Sequence, residues 1–178
     1  EDKEFVQLTF GDFEIATPQW VFGLSRYAFL EESIWFAYSK SGKDHLAVLE
    51  EDGSVSEMHL EATSIGSLAS TVDGIAAVVA SYGEESTVMQ ITNGNQTVCS
   101  TPRDLGLQPE WFPKPELLEF PTSEGETAWA QVYVPTNPEF QVPDGELPPL
   151  IVLAHGGPTG AARTQLQLSI AWWTSRGF

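Results

Sequence analysis

Short apolar runs separated by turn residues dominate the first hundred residues of the chain. Their alternation and β-branched content are typical of strands that are buried on one face. Gly42 and Gly53 lie between runs, where the chain must reverse and where glycine adopts positive φ angles at little cost. The pattern predicts a β-meander with strands at Trp20–Leu24, Tyr27–Leu30, Ile34–Ser39, His45–Glu50 and Val55–Leu60.

The same pattern then starts again with turns at Asp73-Gly74 and Asn93-Gly94. The second set of strands is predicted at Ile65–Ser70, Ile75–Tyr82, Thr87–Thr92 and Thr97–Thr101. Two units of about forty residues with four strands each are typical of β-propeller blades. Because two blades leave apolar faces uncovered, we expect further sequence upstream, and self-association of the isolated chain through these faces.

A proline-rich stretch from Asp104 to Pro115 separates this region from the rest and predicts a domain boundary. Residues 1–104 are therefore interpreted as a partial β-propeller and residues 105–178 as the beginning of a second domain. Leu117–Pro121 and Thr127–Val134 predict a hairpin that opens this domain, and residues 136–149 predict a surface loop.

Near the C-terminal end, the apolar run Leu150–Ala154 is of the kind that parallel sheets bury on both faces. It leads into His155-Gly156-Gly157-Pro158 and then into a predicted helix that reaches about Ser175. The succession of strand, glycine loop and helix is the start of a βαβ unit without its return strand. We therefore expect the unit to be truncated.

The predicted helix carries signals at both ends. Thr164 and Gln167 have the spacing of a capping box, and Gly177 suits a left-handed residue beyond the helix C-terminus. Leu166, Ile170 and Trp173 follow a helical spacing and form the predicted buried side.

Several segments together resemble the prolyl oligopeptidase family of serine peptidases, especially its acylaminoacyl-peptidase and dipeptidyl-peptidase-like branch. The sharpest are the strand into His155-Gly156-Gly157-Pro158 and the helix that ends in Trp172–Phe178. Pro115–Phe120, Ser123–Glu126 and Val132–Pro135 are similar to the family's connection from propeller to hydrolase domain. The fold class expected is mostly β with some α: the last two propeller blades followed by the first strands and first helix of an α/β-hydrolase domain.

Acyl transfer places negative charge on a carbonyl oxygen, which preorganised backbone donors stabilise. The resemblance implies that the Gly157 amide is one such oxyanion donor, that Gly156 shapes the turn, and that His155 braces the loop. The competing interpretation is an ordinary Gly-Gly-Pro turn at the mouth of a sheet. His155 is not expected to be the catalytic base, because the hydrolase order is nucleophile, acid, then histidine.

The family implies a parent enzyme that cleaves short peptides, or releases acyl or dipeptidyl groups, through an acyl-enzyme. The chain contains no Gly-x-Ser-x-Gly elbow, and Ser169 and Ser175 fall on the predicted helix without a base in view. We therefore expect the chain alone to be inactive, with its nucleophile, acid and base beyond Phe178. The alternative from another class is a non-catalytic β-rich module that binds a peptide or a partner along its blade faces.

The composition limits which classes of partner and which cellular location we expect. A formal charge of −17, from 25 acidic against 8 basic residues, opposes binding to nucleic acid, and no apolar run reaches the length of a membrane helix. One cysteine, Cys99, cannot form an internal disulfide, which favours a cytoplasmic location, and its place in a strand predicts burial. His45 and His59 lie apart from any metal-ligand spacing, so no metal or cofactor is expected and the partner implied is a peptide substrate.

Overall fold

The computed structural model describes residues 4–18, 20–157 and 160–178. Within these ranges, eight of the strands form two four-stranded antiparallel sheets, each with its strands in chain order. The first sheet comprises β1 (Tyr27–Leu30), β2 (Ser33–Lys40), β3 (Lys43–Leu49) and β4 (Val55–Met58). The second comprises β5 (Ser64–Ser70), β6 (Ile75–Ala80), β7 (Thr87–Thr92) and β8 (Asn95–Val98). The predicted meander of antiparallel strands is confirmed.

Two hairpins are closed by two-residue turns in which both residues have positive φ angles. Ser41 and Gly42 connect β2 to β3 with φ angles of +49° and +74°. Asn93 and Gly94 connect β7 to β8 with φ angles of +50° and +78°. Positive φ at both positions gives a type I′ turn, whose twist matches that of the flanking strands. These residues therefore fix the register of both hairpins.

The two sheets share one apolar core. Its fully buried large side chains come from both sheets: Leu46 on β3, Ile65 on β5, Ile75 on β6 and Ile91 on β7. Burying an aliphatic side chain of this size stabilises a fold by roughly 1.5–3 kcal/mol. The sheets are thus held together mainly by the apolar faces that they turn towards each other.

The first sheet is also covered on its other face. Phe36, Ala47 and Leu49 are buried there against Phe13 and Ile15 of the preceding segment. Successive residues of a strand point to opposite faces, so β3 is buried on both sides. This explains its continuous apolar sequence from residue 46 to residue 49.

A buried ion pair adds a polar link between the sheets. The Nη2 atom of Arg26 lies 3.0 Å from Oδ1 of Asp44, and these side chains are only 4% and 8% exposed. Arg26 Nη1 donates to the carbonyl of Ile65 at 2.5 Å, and the amide of Ile65 donates to Asp44 Oδ2 at 2.7 Å. Asp44 on β3 and Arg26, which precedes β1, thereby satisfy both the amide and the carbonyl of Ile65 in the second sheet.

Two strands and one helix follow the connector, which itself contains a short 3₁₀ helix, Pro109–Trp111. β9 (Glu116–Pro121) and β10 (Thr127–Val132) form the predicted antiparallel hairpin. The helix α1 spans Leu168–Thr174. The Gly177 amide donates to Thr174 and the Phe178 amide donates to Trp173, at 3.2 and 3.3 Å, with Gly177 at a φ of +87°. This is a Schellman ending, so the prediction for Gly177 is confirmed.

The predicted buried strand Leu150–Ala154 is wrong for this chain. The segment is irregular, and the side chains of Leu150, Val152 and Leu153 are 83%, 79% and 71% exposed. A strand of a parallel sheet needs hydrogen-bonded neighbours and a covering layer on each face. No described residue pairs with this segment, so its apolar sequence alone does not make it a strand.

The predicted start and buried face of the helix are also wrong. The helix begins after Gln167, so Thr164 is not its N-cap. The Thr164 hydroxyl bonds to Gly42 instead, and Gln167 makes no side-chain capping bond. Its buried residues are Ala171 and Thr174, whereas Trp173 is exposed. Helical spacing is compatible with several buried faces, and the face that is buried in the structure is centred on the small residues Ala171 and Thr174.

Two smaller predictions fail for local reasons. Trp20–Leu24 is a turn and not a strand, because the Val21 amide donates to the Pro18 carbonyl and Gly23 has a φ of +82°. Cys99 follows β8 and is exposed instead of buried. In the part of the chain that the structure describes, no helix has the length and apolar character needed to cross a membrane.

Candidate functional site

The predicted oxyanion loop lies at the surface. His155, Gly156 and Gly157 are exposed, and Gly157 has a φ of +73°, a conformation that favours glycine. Among the described residues, no heavy atom outside the adjoining residues lies within 4 Å of the position that a Cβ would take on Gly156 or Gly157. The space around this part of the loop is open, whereas Pro158 lies outside the described residues.

The amides of this loop are not used by the described part of the fold. No described residue accepts a backbone hydrogen bond from Gly156 or Gly157. A buried amide without an acceptor is costly, but an exposed amide can bind water or a ligand. The loop therefore offers donors to an outside acceptor, which an anion-binding loop must do.

Gly160 is a loop residue that the sequence reasoning missed. A Cβ on Gly160 would lie 2.4 Å from the carbonyl oxygen of Gly156 and 3.0 Å from Nδ1 of His155. The first contact is with backbone, which cannot move aside without changing the loop. The signal available in the sequence was a third glycine three residues after Gly157. Glycine at position 160 thus allows the chain to fold back over residues 155 and 156.

Thr164 anchors the segment that follows the loop. Its side chain is buried, with the residue 4% exposed, and its hydroxyl donates to the Gly42 carbonyl at 2.6 Å. The same hydroxyl accepts a hydrogen bond from Nε2 of Gln131 at 2.9 Å. One side chain therefore connects the loop segment to the β2–β3 turn and to β10.

Backbone contacts extend this anchor to the second sheet. The Thr63 hydroxyl donates to the carbonyl of Thr164, and the amide of Leu166 donates to the Ser81 carbonyl at 2.7 Å. Thr63 immediately precedes β5, and Ser81 immediately follows β6. Residues 164–166 are thus bound to both four-stranded sheets, a few residues beyond Gly160.

A cleft of about 550 Å³ lies between the β2–β3 hairpin, the β9–β10 hairpin and Thr164. It is separate from residues 155–157 in its lining. Its walls combine cationic, aromatic and apolar side chains with the turn at Gly42. The lining side chains other than those at the turn are Tyr38, Lys40, Lys43, His45, Glu57, Pro115, Leu117, Gln131 and Thr164.

Three of these side chains form a hydrogen-bonded cluster. Nδ1 of His45 lies 2.8 Å from Oε1 of Glu57, and the Tyr38 hydroxyl donates to Oε2 of Glu57 at 3.1 Å. The rings of Tyr38 and His45 are stacked, with their centroids 4.9 Å apart and their planes 12° from parallel. The sequence did not indicate these contacts of His45 with Glu57 and Tyr38.

The cluster shifts the pKa values of two of its members. The hydrogen bond with His45 lowers the pKa of Glu57, and the Tyr38 hydroxyl acts in the same direction. Burial raises the pKa of Tyr38, and its hydrogen bond to the Glu57 carboxylate raises it further. Glu57 is therefore ionised and Tyr38 protonated at neutral pH, so the hydrogen bond between them is retained.

The serine hydroxyls of the described residues have partners other than histidine, or none. Within them, no serine hydroxyl is hydrogen-bonded to a histidine ring, and the Ser175 hydroxyl donates to the Trp172 carbonyl at 3.0 Å. A nucleophile activated by an adjacent base needs such a contact. The exposed amides of Gly156 and Gly157 remain as hydrogen-bond donors without an acceptor among the described residues.

The chain is similar in structure to enzymes that act on puromycin. The crystal structure of puromycin hydrolase has a TM-score of 0.89 and 29% identity, with 97% of this chain and 27% of that chain covered. A serine-to-alanine mutant of puromycin hydrolase complexed with PGG gives a TM-score of 0.87 at 29% identity, with the same coverage. A puromycin-hydrolyzing peptidase of Mycobacterium tuberculosis gives 0.86 at 26% identity, covering 96% and 27%.

The chain thus spans about a quarter of the length of these structures. No family model matches the chain, and no curated protein matches it. The structural similarity extends over nearly the whole chain and therefore includes both four-stranded sheets and the β9–β10 hairpin. This agreement confirms the resemblance to the prolyl oligopeptidase family that the sequence indicated.

Proposed function

We propose that this chain is part of a serine peptidase that hydrolyses short peptides, or releases acyl or dipeptidyl groups, through an acyl-enzyme. In this proposal the two four-stranded sheets in residues 1–104 are propeller blades. Residues 105–178 begin the α/β-hydrolase domain. The chain supplies the oxyanion loop His155-Gly156-Gly157 and is inactive alone, since the nucleophile, acid and base lie in other parts of the enzyme. Its substrate is a peptide.

The observation that carries the proposal is the exposed backbone amide of Gly157. Its amide has no acceptor among the described residues, its surroundings are open, and its backbone is in the left-handed region. An exposed donor of this kind suits the oxygen of a tetrahedral intermediate, which carries a full negative charge. The similarity to puromycin-hydrolysing enzymes supports a peptidase in particular.

The geometry of the following segment supports the same role. An oxyanion donor contributes to catalysis only if its position is fixed before the charge develops. Gly160 packs against the carbonyl of Gly156, and Thr164 is bonded to Gly42 and Gln131. The C-terminal side of the loop is therefore held by the rest of the fold.

A matched pair of glycine substitutions in the full-length enzyme tests the oxyanion role. Gly157→Ala strains the left-handed backbone and displaces the proposed donor, so kcat falls by at least about tenfold while KM changes little. Gly145→Ala is the control, because Gly145 also lies in an exposed, open loop with a similar φ of +81°. Equal effects of the two substitutions on kcat would overturn the assignment of Gly157.

The proposed serine chemistry and the inactivity of the chain are tested together. A fluorophosphonate probe, which reacts with an activated serine, is applied to the full-length enzyme and to residues 1–178 in parallel. We expect the full-length protein to be labelled and the 178-residue chain to remain unlabelled. Labelling of the shorter chain would contradict its inactivity, and failure to label the full-length enzyme would contradict a serine nucleophile.

Self-association of the isolated chain is a further part of the proposal. On the two four-stranded sheets, Phe29, Val55 and Val98 are 61%, 53% and 53% exposed, and large exposed apolar side chains favour association. Sizing chromatography of residues 1–178 over a range of concentrations is expected to show discrete oligomers. A monomer at every concentration would contradict this part without affecting the assignment of the loop.

A further inference from the structure

The cleft between the β2–β3 hairpin and the β9–β10 hairpin has no role in the proposed chemistry. We propose that this cleft binds a short peptide by its terminal carboxylate, with Lys40 and Lys43 as the cationic anchors. The site lies in a different part of the chain from the glycine loop, and binding there requires no catalysis. The proposal therefore goes beyond the proposed peptidase function.

The placement of the two lysines is the main observation. Lys40 and Lys43 are directly paired across the β2–β3 hairpin, and both line the cleft. Like charges directly opposite on neighbouring strands destabilise a sheet. No acidic residue in the described ranges forms an ion pair with either of them. A bound anion between the two ammonium groups would remove the repulsion and provide the missing partner.

The charge of the cleft contrasts with that of the chain. The chain as a whole has a formal charge of −17 and only 8 lysine and arginine residues. In the cleft, the lining includes two of these cations and one acid, Glu57. That acid already accepts hydrogen bonds from Tyr38 and contacts His45. Lys40 also helps to lower the pKa of Glu57, but neither lysine forms an ion pair within the described residues, so the ligand that they select is an anion.

The walls favour a peptide over a bare inorganic anion. The volume of about 550 Å³ falls within the range of small-molecule sites, which is roughly 300–1,000 Å³. Pro115 and Leu117 supply apolar surface, and the stacked rings of Tyr38 and His45 supply a flat aromatic one. Apolar and aromatic walls beside a few charged groups suit side chains attached to a carboxylate, whereas phosphate alone would leave them uncovered.

Isothermal titration calorimetry on the 178-residue chain tests the site. The ligands are a trialanine peptide with a free carboxylate, the same peptide as its C-terminal amide, and inorganic phosphate. Variant K40Q/K43Q removes the anchors, and K40R/K43R retains their charge. The control R103Q/R176Q removes two cations that do not line the cleft, so it changes the net charge equally. Circular dichroism confirms that each variant is folded.

We expect the free peptide to bind about tenfold more tightly than its amide, and K40Q/K43Q to weaken that binding about tenfold, as two partly exposed charge pairs would. K40R/K43R and R103Q/R176Q should bind as the unmodified chain does. Equal binding of the peptide and its amide, or equal losses in K40Q/K43Q and R103Q/R176Q, would overturn the proposal. Tighter binding of phosphate than of the peptide would overturn the assignment to a peptide carboxylate.

Discussion

Removing the charge of Asp44 is expected to be among the most destabilising single substitutions in this chain. The carboxylate accepts hydrogen bonds from both Nη atoms of Arg26, at 3.1 and 3.0 Å. It also accepts from the Ser39 hydroxyl and from the amide of Ile65, at 2.5 and 2.7 Å. In Asp44→Asn the side chain keeps its size, but an NH₂ group replaces one of the accepting oxygens. The guanidinium of Arg26 then loses its counter-charge inside the protein.

The expected cost follows from the burial of the partner. The Arg26 side chain is 4% exposed, so the unpaired guanidinium cannot be hydrated without opening the fold. Breaking a buried pair on one side costs about 3–5 kcal/mol, whereas removal of an exposed partner costs at most about 1 kcal/mol. We expect Asp44→Asn near the lower end, at about 3 kcal/mol, because Arg26 retains its bond to the Ile65 carbonyl.

Urea unfolding followed by circular dichroism measures this loss as a fall in the midpoint at constant slope. Glu85→Gln is the control, because Glu85 pairs with Arg103 at 2.6 Å in a more exposed position. A double substitution, Arg26→Met with Asp44→Leu, leaves no unpaired buried charge but removes the partners of the Ile65 amide and carbonyl, so it should recover only part of the loss. If Asp44→Asn costs no more than Glu85→Gln, the ion pair does not link the sheets in the way described.

The same pair predicts a dependence of stability on pH. Burial alone would raise the pKa of Asp44, but hydrogen bonds from Arg26, Ser39 and Ile65 more than offset this and hold it below its ordinary value. The carboxylate therefore stabilises the fold fully above its unfolded pKa of about 3.9, and this contribution is lost as pH falls through the lower folded pKa. Asp44→Asn should flatten the unfolding free energy between about pH 5 and pH 2.

Two further substitutions test how the glycine loop is held. Thr164→Val keeps the shape but leaves the Gly42 carbonyl without its donor and removes one of the two acceptors of the Gln131 side-chain amide, and we expect a loss of about 1–2 kcal/mol in urea unfolding. Gly160→Ala brings a Cβ to 2.4 Å from the Gly156 carbonyl, so it should destabilise the chain by more than Gly156→Ala, which meets nothing within 4 Å. Equal stabilities of the two alanine variants would refute the close approach at residue 160.

The meander could be predicted because its determinants are local. β1 and β7 occupy the predicted residues, Tyr27–Leu30 and Thr87–Thr92, and the others differ by a few residues at their ends. Alternating burial sets the face of each strand, and turn residues such as Ser41-Gly42 set the register. Both signals lie within a few residues of the strand that they specify. The strand predicted at Trp20–Leu24 failed because apolar residues there occupy a turn held by Pro18.

The contacts around the candidate site could not be predicted in the same way. Thr164 had the local spacing of a capping residue, yet its hydroxyl bonds to Gly42, which is 122 positions away in sequence. Gln131 and Glu57 likewise bond to residues outside their own strands. Nothing in a residue's near neighbours specifies a partner at that separation. The sequence identified the loop through its resemblance to a family, but not the side chains that hold it.

The glycine loop is held from one side only, and this bears directly on how an oxyanion donor could work here. After the loop, Gly160 lies against the Gly156 carbonyl, and Thr164 and Leu166 connect the segment to both sheets. Before the loop, no described residue pairs with the segment 150–154. Donors that stabilise a developing charge must be oriented before the reaction, because reorienting them in the transition state costs much of what they contribute. The apolar segment 150–154 therefore matters for the loop as well as for the core. Pairing of this segment in a sheet would fix the entry to His155, as Thr164 already fixes the exit.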